Sequence, residues 1–170
     1  MFGKFGRALL REFSARQYAK SPGHRSPLTV ELRETIDWWA SWLPIATPRT
    51  VLLRPPPPVV VYTDAEGSGH IAAVLFDGAQ KPVFSPHTHA PAWMLGQSAE
   101  AGIFEFELLA ICIGVMLALT AFPNRPILLC ADNLGARGAV VRGTCRTRVG
   151  RALSSYSWRM ESTHPALIWI

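Results

Sequence analysis

The period of the apolar and polar positions changes near residue 58. Upstream, apolar residues recur at spacings of four, three and four, which predicts one helix with a single apolar stripe. The stripe consists of Leu32, Ile36, Trp39 and Leu43. Thr29 is a plausible N-cap for this helix and Pro44 ends it. Residues 1–20 read as a basic helical arm, and four consecutive prolines at 55–58 form a stiff extended linker.

Downstream of the prolines, β-branched and apolar runs alternate with longer helical patterns. The run Val59–Thr63 is typical of a strand buried on both faces, and Asp77-Gly78 is a hairpin signal. Further strands are predicted over residues 70–76, 82–85, 127–131 and 166–170, with helices over 103–121, 134–141 and 146–160 and a loop over 86–101. The order β-β-β-α-β-α-α-β predicts an α/β domain with five strands.

The apolar run from Phe106 to Phe122 is about 17 residues long, close to the lower limit for spanning a membrane. It carries Glu107 near its start, and a buried core helix explains that pattern better than a membrane span does. We therefore expect no membrane as a partner.

Composition adds a core and a mild positive charge. Hydrophobic residues make up 49% of the 170 residues and charged residues 17%, which excludes a disordered chain. The formal net charge of +5 suits a polyanion such as RNA or DNA, but a generic basic surface explains it equally well. The three cysteines form no C-x-x-C pair, so a disulfide framework or zinc ribbon is not indicated and a reducing, intracellular compartment is favoured.

The first 25 residues are rich in arginine and contain one acid, Glu12. This segment resembles a mitochondrial transit segment, and the alternatives are a basic arm that lies on nucleic acid or a piece of a longer polyprotein. The compartment stays open among these readings.

Three acids stand where a core would not normally place them. Asp64 follows the first strand, Asp132 follows the strand 127–131, and Glu107 lies inside the apolar helix. Each has a structural explanation alone: Asp64 as a turn residue, Asp132 as an N-cap, and Glu107 as a first-turn acid. Together they predict one carboxylate cluster, because sites form at the carboxyl ends of parallel strands and hard divalent cations relieve carboxylate repulsion.

Three short motifs carry a resemblance to a known family. They are Tyr62-Thr63-Asp64-Ala65, Glu107-Leu108-Leu109-Ala110 and Cys130-Ala131-Asp132-Asn133. Over about residues 59–170 they resemble the ribonuclease H domain of retroelement reverse transcriptases. Upstream, Pro27-Leu28-Thr29, Glu31–Glu34 and Trp38-Trp39 resemble the segment that connects the polymerase part of such enzymes to the ribonuclease H part.

The resemblance implies a ribonuclease H-like mixed five-stranded sheet with flanking helices, preceded by a helical N-terminal arm. It divides the chain into an arm and connecting segment at 1–54, the proline linker at 55–58 and the domain at 59–170. It also implies that Asp64, Glu107 and Asp132 are catalytic metal ligands for Mg²⁺, in a two-metal hydrolase that cleaves RNA in RNA–DNA hybrids.

One departure from the family bears on activity. Family members carry a fourth acid shortly after the last strand, and this chain ends at Ile170, before that position. Glu161 precedes the strand and is a poor substitute, so the second metal site is doubtful. The alternative is a catalytically inactive, domesticated remnant that serves as a structural RNA- or protein-binding subunit of a larger assembly such as a ribonucleoprotein.

Other surface features point to partners. Nucleic-acid contacts are predicted at a set of residues that follow Asp132: Asn133, Arg137, Arg142, Arg146 and Arg148. Trp38 and Trp42, with the basic arm, could bind other protein subunits, although capping this domain's own core explains the tryptophans more simply. His87-x-His89 has metal-ligand spacing for a strand but lacks a third ligand nearby in the sequence.

Overall fold

The computed structural model describes the chain in segments: residues 10, 12–14, 16–18, 28–46, 56–78, 81–95, 99–143, 145–163 and 168–169. Residues 12–14 and 16–17, inside the predicted basic arm, are helical. The remainder of the arm lies outside these segments, as do residues 47–55, which include the first proline of the linker. The proposed domain boundaries stay predictions.

Helix α1 spans Val30–Trp42 and is followed by a 3₁₀ turn over Leu43–Ile45. The Thr29 hydroxyl accepts a hydrogen bond from the backbone N–H of Leu32 at 3.2 Å, which confirms the predicted N-cap. Trp38 stacks on Trp42 with ring centroids 5.3 Å apart, and Trp42 packs against the buried Trp158. At least part of this aromatic group therefore covers the chain's own core, as the simpler reading expected.

The main body is a mixed sheet built on the predicted strands. The strands are β1 Val59–Ala65, β2 His70–Phe76, β3 Pro82–Phe84, β4 His87–His89, β5 Ile127–Ala131 and β6 Ile168–Trp169. Their order is β3-β2-β1-β5-β6, with β4 also paired to β2. The pairs β1–β5 and β5–β6 are parallel, and the pairs around β2 are antiparallel. The α/β class with a mixed sheet and flanking helices is confirmed.

The edge of the sheet beside β2 is divided between two short strands. β3 pairs with the end of β2 at Leu75 and Phe76, and β4 pairs with its beginning at His70 to Ala72. Pro86 interrupts them because it has no N–H for the ladder, although its carbonyl still accepts from Ala73 at 3.0 Å. The prediction of a loop over residues 86–101 was wrong in part, because His87–His89 form β4, Ala92–Leu95 form a short helix and the long helix already begins at Ala99.

Four helices accompany the sheet: α2 Ala92–Leu95, α3 Ala99–Ala121, α4 Leu134–Arg142 and α5 Arg148–Thr163. Helix α3 begins four residues earlier than predicted. It lies directly on the sheet at Gly114, where an added Cβ would lie 2.7 Å from Thr63 Cγ2 and 2.9 Å from Val61 Cγ1. The sheet on one side and helices α4 and α5 on the other bury most of α3, which explains why its sequence shows no polar face.

Only one face of the sheet is covered by the described helices. In β1, Val59, Val61 and Thr63 are buried beneath α3, whereas Tyr62 and Asp64 are exposed on the opposite face. The prediction that β1 is buried on both faces was therefore wrong. An apolar residue at nearly every position hid the alternation that a half-buried strand usually shows.

The helix segment Gly102–Ala121 is long and apolar enough to cross a membrane by length and composition, and 67% of its most apolar window is buried inside the molecule. Its neighbours in the core include Val61, Leu75 and Leu129 of the sheet. These contacts agree with the prediction of a core helix.

Candidate metal centre

Asp64 and Asp132 lie side by side at the carboxyl ends of two parallel strands. The register pairs Thr63 of β1 with Ala131 of β5, so the next residue along each strand is an aspartate. Asp64 is inside β1, and its Oδ1 accepts from the backbone N–H of Ala65 at 2.9 Å. Adjacent parallel strands are about 4.8 Å apart, which brings the two carboxylates to one place.

Glu107 completes the group from helix α3. One ligand oxygen from each of Asp64, Glu107 and Asp132 lies within 4.8 Å of the others. Glu107 is in the third turn of α3 because the helix begins at Ala99, so a first-turn role at the helix dipole does not explain it. The predicted convergence of the three acids is thus present in the geometry.

The electrostatics of Glu107 differ from those of an ordinary surface acid. The Glu107 residue is only 4% exposed. Burial, and after it the negative charges of Asp132 and Asp64, raise the pKa of Glu107 to about 7, against the opposing effect of a backbone hydrogen bond from Ala65. A positive ion between the carboxylates would remove both the repulsion and part of the cost of desolvation.

The donor set fits a hard divalent cation such as Mg²⁺. All three residues offer carboxylate oxygens, which Mg²⁺ prefers to nitrogen or sulfur. Glu107 Oε2 is buried and has no hydrogen-bond partner within the described part of the chain, and a cation between the three carboxylates would satisfy it. Asp64 and Asp132 are exposed, which leaves an approach for water and substrate.

A groove leads away from the acids along the uncovered face of the sheet. It has a volume of about 620 Å³. Its lining includes Asp64, Asp132 and Arg137 at one end, and Tyr62 and Leu128 further along the strands. A place for Tyr62 in an open groove was not predicted, because an apolar residue at nearly every position of its strand indicated burial on both faces; in the structure Tyr62 is exposed.

The residues predicted to contact nucleic acid have different places. Asn133 is the N-cap of α4, with its Oδ1 accepting from the backbone N–H of Ala136 at 2.9 Å. The cap is therefore Asn133 and not Asp132, which leaves the Asp132 carboxylate available to the cluster. One turn on, Arg137 reaches the groove beside the acids. A role for either residue in nucleic-acid binding stays a prediction.

The other three predicted arginines lie at two places, the end of α4 and the start of α5. Arg142 is in the last turn of α4, about 12 Å along the helix from its start. Arg146 and Arg148 flank Thr147, whose hydroxyl accepts from Gly150 at the start of α5. Added Cβ atoms at Gly135 and Gly150 would lie 3.4 and 2.9 Å from the Phe104 ring, three residues before Glu107. This contact places the start of α5, and with it Arg146 and Arg148, at the acid end of the sheet.

No fourth acid joins the cluster within the described residues. Glu161 is 8% exposed and lies in α5, and it is not among the converging ligands. The expectation that Glu161 is a poor substitute therefore agrees with its position.

No protein-family model matches this chain, and no curated protein matches it either. Among solved structures, it is similar to the foamy viral protease–reverse transcriptase in complex with double-stranded DNA, at 14% identity over 95% of this chain and 33% of that chain, with a TM-score of 0.49. The native protease–reverse transcriptase of Prototype Foamy Virus gives 12% identity over 94% of this chain and 21% of that chain, with a TM-score of 0.48. The chain thus spans a third or less of these two proteins, and similarities at such values support no inference about activity.

Proposed function

We propose that this chain is a retroelement-derived, ribonuclease H-like nucleic-acid-binding domain that hydrolyses the RNA strand of RNA–DNA hybrids with Mg²⁺. The observation that carries the proposal is the convergence of Asp64, Glu107 and Asp132 within 4.8 Å at the carboxyl ends of two parallel strands. The buried carboxylate of Glu107 next to two further acids is costly unless a cation or another partner offsets their repulsion.

Asp64, Glu107 and Asp132 would hold the metal. When two divalent ions are bound, they supply an activated water and stabilise the leaving oxygen of a phosphodiester. Glu107 holds its ion most effectively when it has lost its proton, and its pKa of about 7 means that binding releases a proton near neutral pH. Asp64 and Asp132, both exposed, face the substrate side of the centre.

The surroundings of the acids support a nucleic-acid substrate. Arg137 lies in the groove beside Asp64 and Asp132, where its guanidinium can bind a backbone phosphate in bidentate fashion. Arg146 and Arg148 are exposed at the start of α5, at the same end of the sheet. Phosphate contacts from such arginines position a duplex without reading its sequence.

The test is cleavage of a hybrid that carries a labelled RNA strand, with Mg²⁺ or Mn²⁺ added. We expect cleavage by the unaltered chain, and a loss of at least about a hundredfold in Asp64→Asn and Asp132→Asn, since each removes a ligand charge. Glu34→Gln, which removes an exposed acid of α1, is the matched control and retains activity. Folded protein that cleaves at no concentration of either ion contradicts the proposal.

A second candidate is an inactive remnant that binds RNA or protein within a larger assembly. It is favoured by the absence of a fourth acid among the converging ligands of the described residues. The two candidates differ in one result: the remnant binds a hybrid or structured RNA without cleaving it. Binding that is retained in Asp64→Asn while cleavage is absent from the unaltered chain supports the remnant.

A further inference from the structure

Three histidines gather on one edge of the sheet, apart from the acid cluster. Residues His87 and His89 of β4 are separated by one residue, so their side chains lie on the same face of the strand. The register pairs His89 with His70 of β2, and the two imidazole rings have centroids 3.9 Å apart at an angle of 52°. His70 supplies the third imidazole. The spacing of His87 and His89 in the sequence could not reveal it, because His70 belongs to another strand.

We propose that His70, His87 and His89 form a binding site for Zn²⁺ or a similar transition-metal ion. Imidazole nitrogen suits Zn²⁺, Ni²⁺ and Cu²⁺, in contrast to the carboxylate oxygens of the acid cluster. Three histidines with a water in the fourth position make a complete tetrahedral zinc site.

The backbone geometry allows one ion to reach all three side chains. Directly opposed residues of an antiparallel pair have Cβ atoms about 5 Å apart, and diagonal neighbours about 7–8 Å. His89 and His70 are the direct pair, and His87 is the diagonal neighbour of His70, since it pairs with Ala72. Nitrogens bound at about 2.0–2.1 Å from zinc fall within the reach of side chains at these separations.

The histidines are exposed, so rotation of the side chains is not restricted by packing. Among the described residues, only the three acids already have their ligand atoms within 4.8 Å of one another. The histidine site therefore closes by turning His87 towards the His70–His89 pair when the ion arrives. Binding ties β4, a strand of three residues, to β2 and stabilises the edge of the sheet.

This inference does not depend on the proposed hydrolase, but the two sites share a face. Asp64 pairs with Ala72 across β1 and β2, and Ala72 pairs with His87. Zn²⁺ also accepts carboxylate oxygens, so a titration must separate histidine binding from acid binding. The Asp64→Asn background does this, because it removes an acid ligand and leaves all three imidazoles.

The experiment is a titration of the full chain with Zn²⁺, monitored by calorimetry and by NMR of the imidazole groups. The pH is kept above the ordinary imidazole pKa of about 6.5. The chain has five histidines, which keeps the spectrum simple. We expect three imidazole signals to shift, both in the unaltered chain and in Asp64→Asn. His70→Ala and His89→Ala should each weaken Zn²⁺ binding by at least about tenfold, the lower end of the loss when even a supporting group of a metal site is removed.

Controls keep the outcome decisive. His24→Ala removes a histidine that is not one of the three proposed ligands, and we expect it to leave the Zn²⁺ affinity unchanged. Circular dichroism shows whether the His70 and His89 variants remain folded, and His87→Ala, at the outer edge of the sheet, provides a ligand variant with less effect on packing. The proposal is overturned if Zn²⁺ shifts none of the three imidazole signals. It is also overturned if Zn²⁺ binds His89→Ala normally and binds Asp64→Asn only weakly.

Discussion

Replacing Glu107 by glutamine should stabilise the protein at alkaline pH and have little effect in acid. In the folded chain burial and two neighbouring acids raise the pKa of Glu107 to about 7, from an ordinary value of 4.5. Between these values the folded state holds a proton that the unfolded chain has released. The free energy of unfolding therefore falls as pH rises through this interval.

The size of this stabilisation follows from the difference between the two pKa values of Glu107. Each step of one in pKa corresponds to 1.36 kcal/mol, so the ionised carboxylate costs about 3 kcal/mol once the pH exceeds 7. Glu107→Gln keeps the shape and removes the charge. We expect its free energy of unfolding to exceed that of the unaltered chain by up to about 3 kcal/mol at about pH 8, and the two to converge below about pH 4.5. For a chain of this size that is a rise of roughly 6–12 °C in Tm.

Denaturant unfolding at several pH values, without divalent ions, measures the difference directly. Glu34→Gln removes an exposed acid and controls for the change in net charge. Added Mg²⁺ should narrow the difference in stability at alkaline pH, because it binds the three acids of the unaltered chain more tightly than the two that remain in Glu107→Gln. A Glu107→Gln variant that is no more stable than its parent at alkaline pH, or that is equally stabilised in acid, refutes the reasoning.

Three further substitutions test the surroundings of the centre. Gly114→Ala places a methyl group 2.7 Å from Thr63 Cγ2, and overpacking there should lower the free energy of unfolding by about 1–3 kcal/mol in a denaturant titration. Asn133→Ala removes the N-cap of α4 and should lower the free energy of unfolding by about 1 kcal/mol, measured in the same assay at neutral pH. Arg137→Ala should weaken hybrid binding equally for all sequences and reduce the slope of log affinity against log salt by about 1, as filter binding over a salt series would show. An unchanged slope removes Arg137 from the interface.

The sequence was sufficient for the acids because their chemistry conflicts with their neighbours. Asp64 and Asp132 each come directly after a run of apolar residues, and Glu107 interrupts an apolar helix, so each stands out in the sequence as a polar group next to the core. The order of strands and helices then limited the sheet topology, and parallel strands bring their carboxyl ends to one edge. No more than local patterns and this rule was needed to predict the cluster.

Features that depend on pairing between distant segments were not predictable. The open face of β1 is hidden in the sequence by an apolar residue at nearly every position, and Tyr62 is exposed because α3 covers only the opposite face. His70 joins His89 only through strand pairing, since they are 19 residues apart in the chain and opposite each other in the sheet. The identity of the N-cap, Asn133 and not Asp132, depends on a shift of one residue that propensity does not resolve.

The most direct test of the account is calorimetric titration of the chain with Mg²⁺, compared with Asp64→Asn and Asp132→Asn. The account predicts saturable binding with release of protons near neutral pH, because Glu107 has a pKa of about 7 and must lose its proton to become a ligand. Both variants should lose most of this binding. Absence of binding by the folded chain, or binding that survives in both variants, contradicts the claim that the three acids form a metal centre.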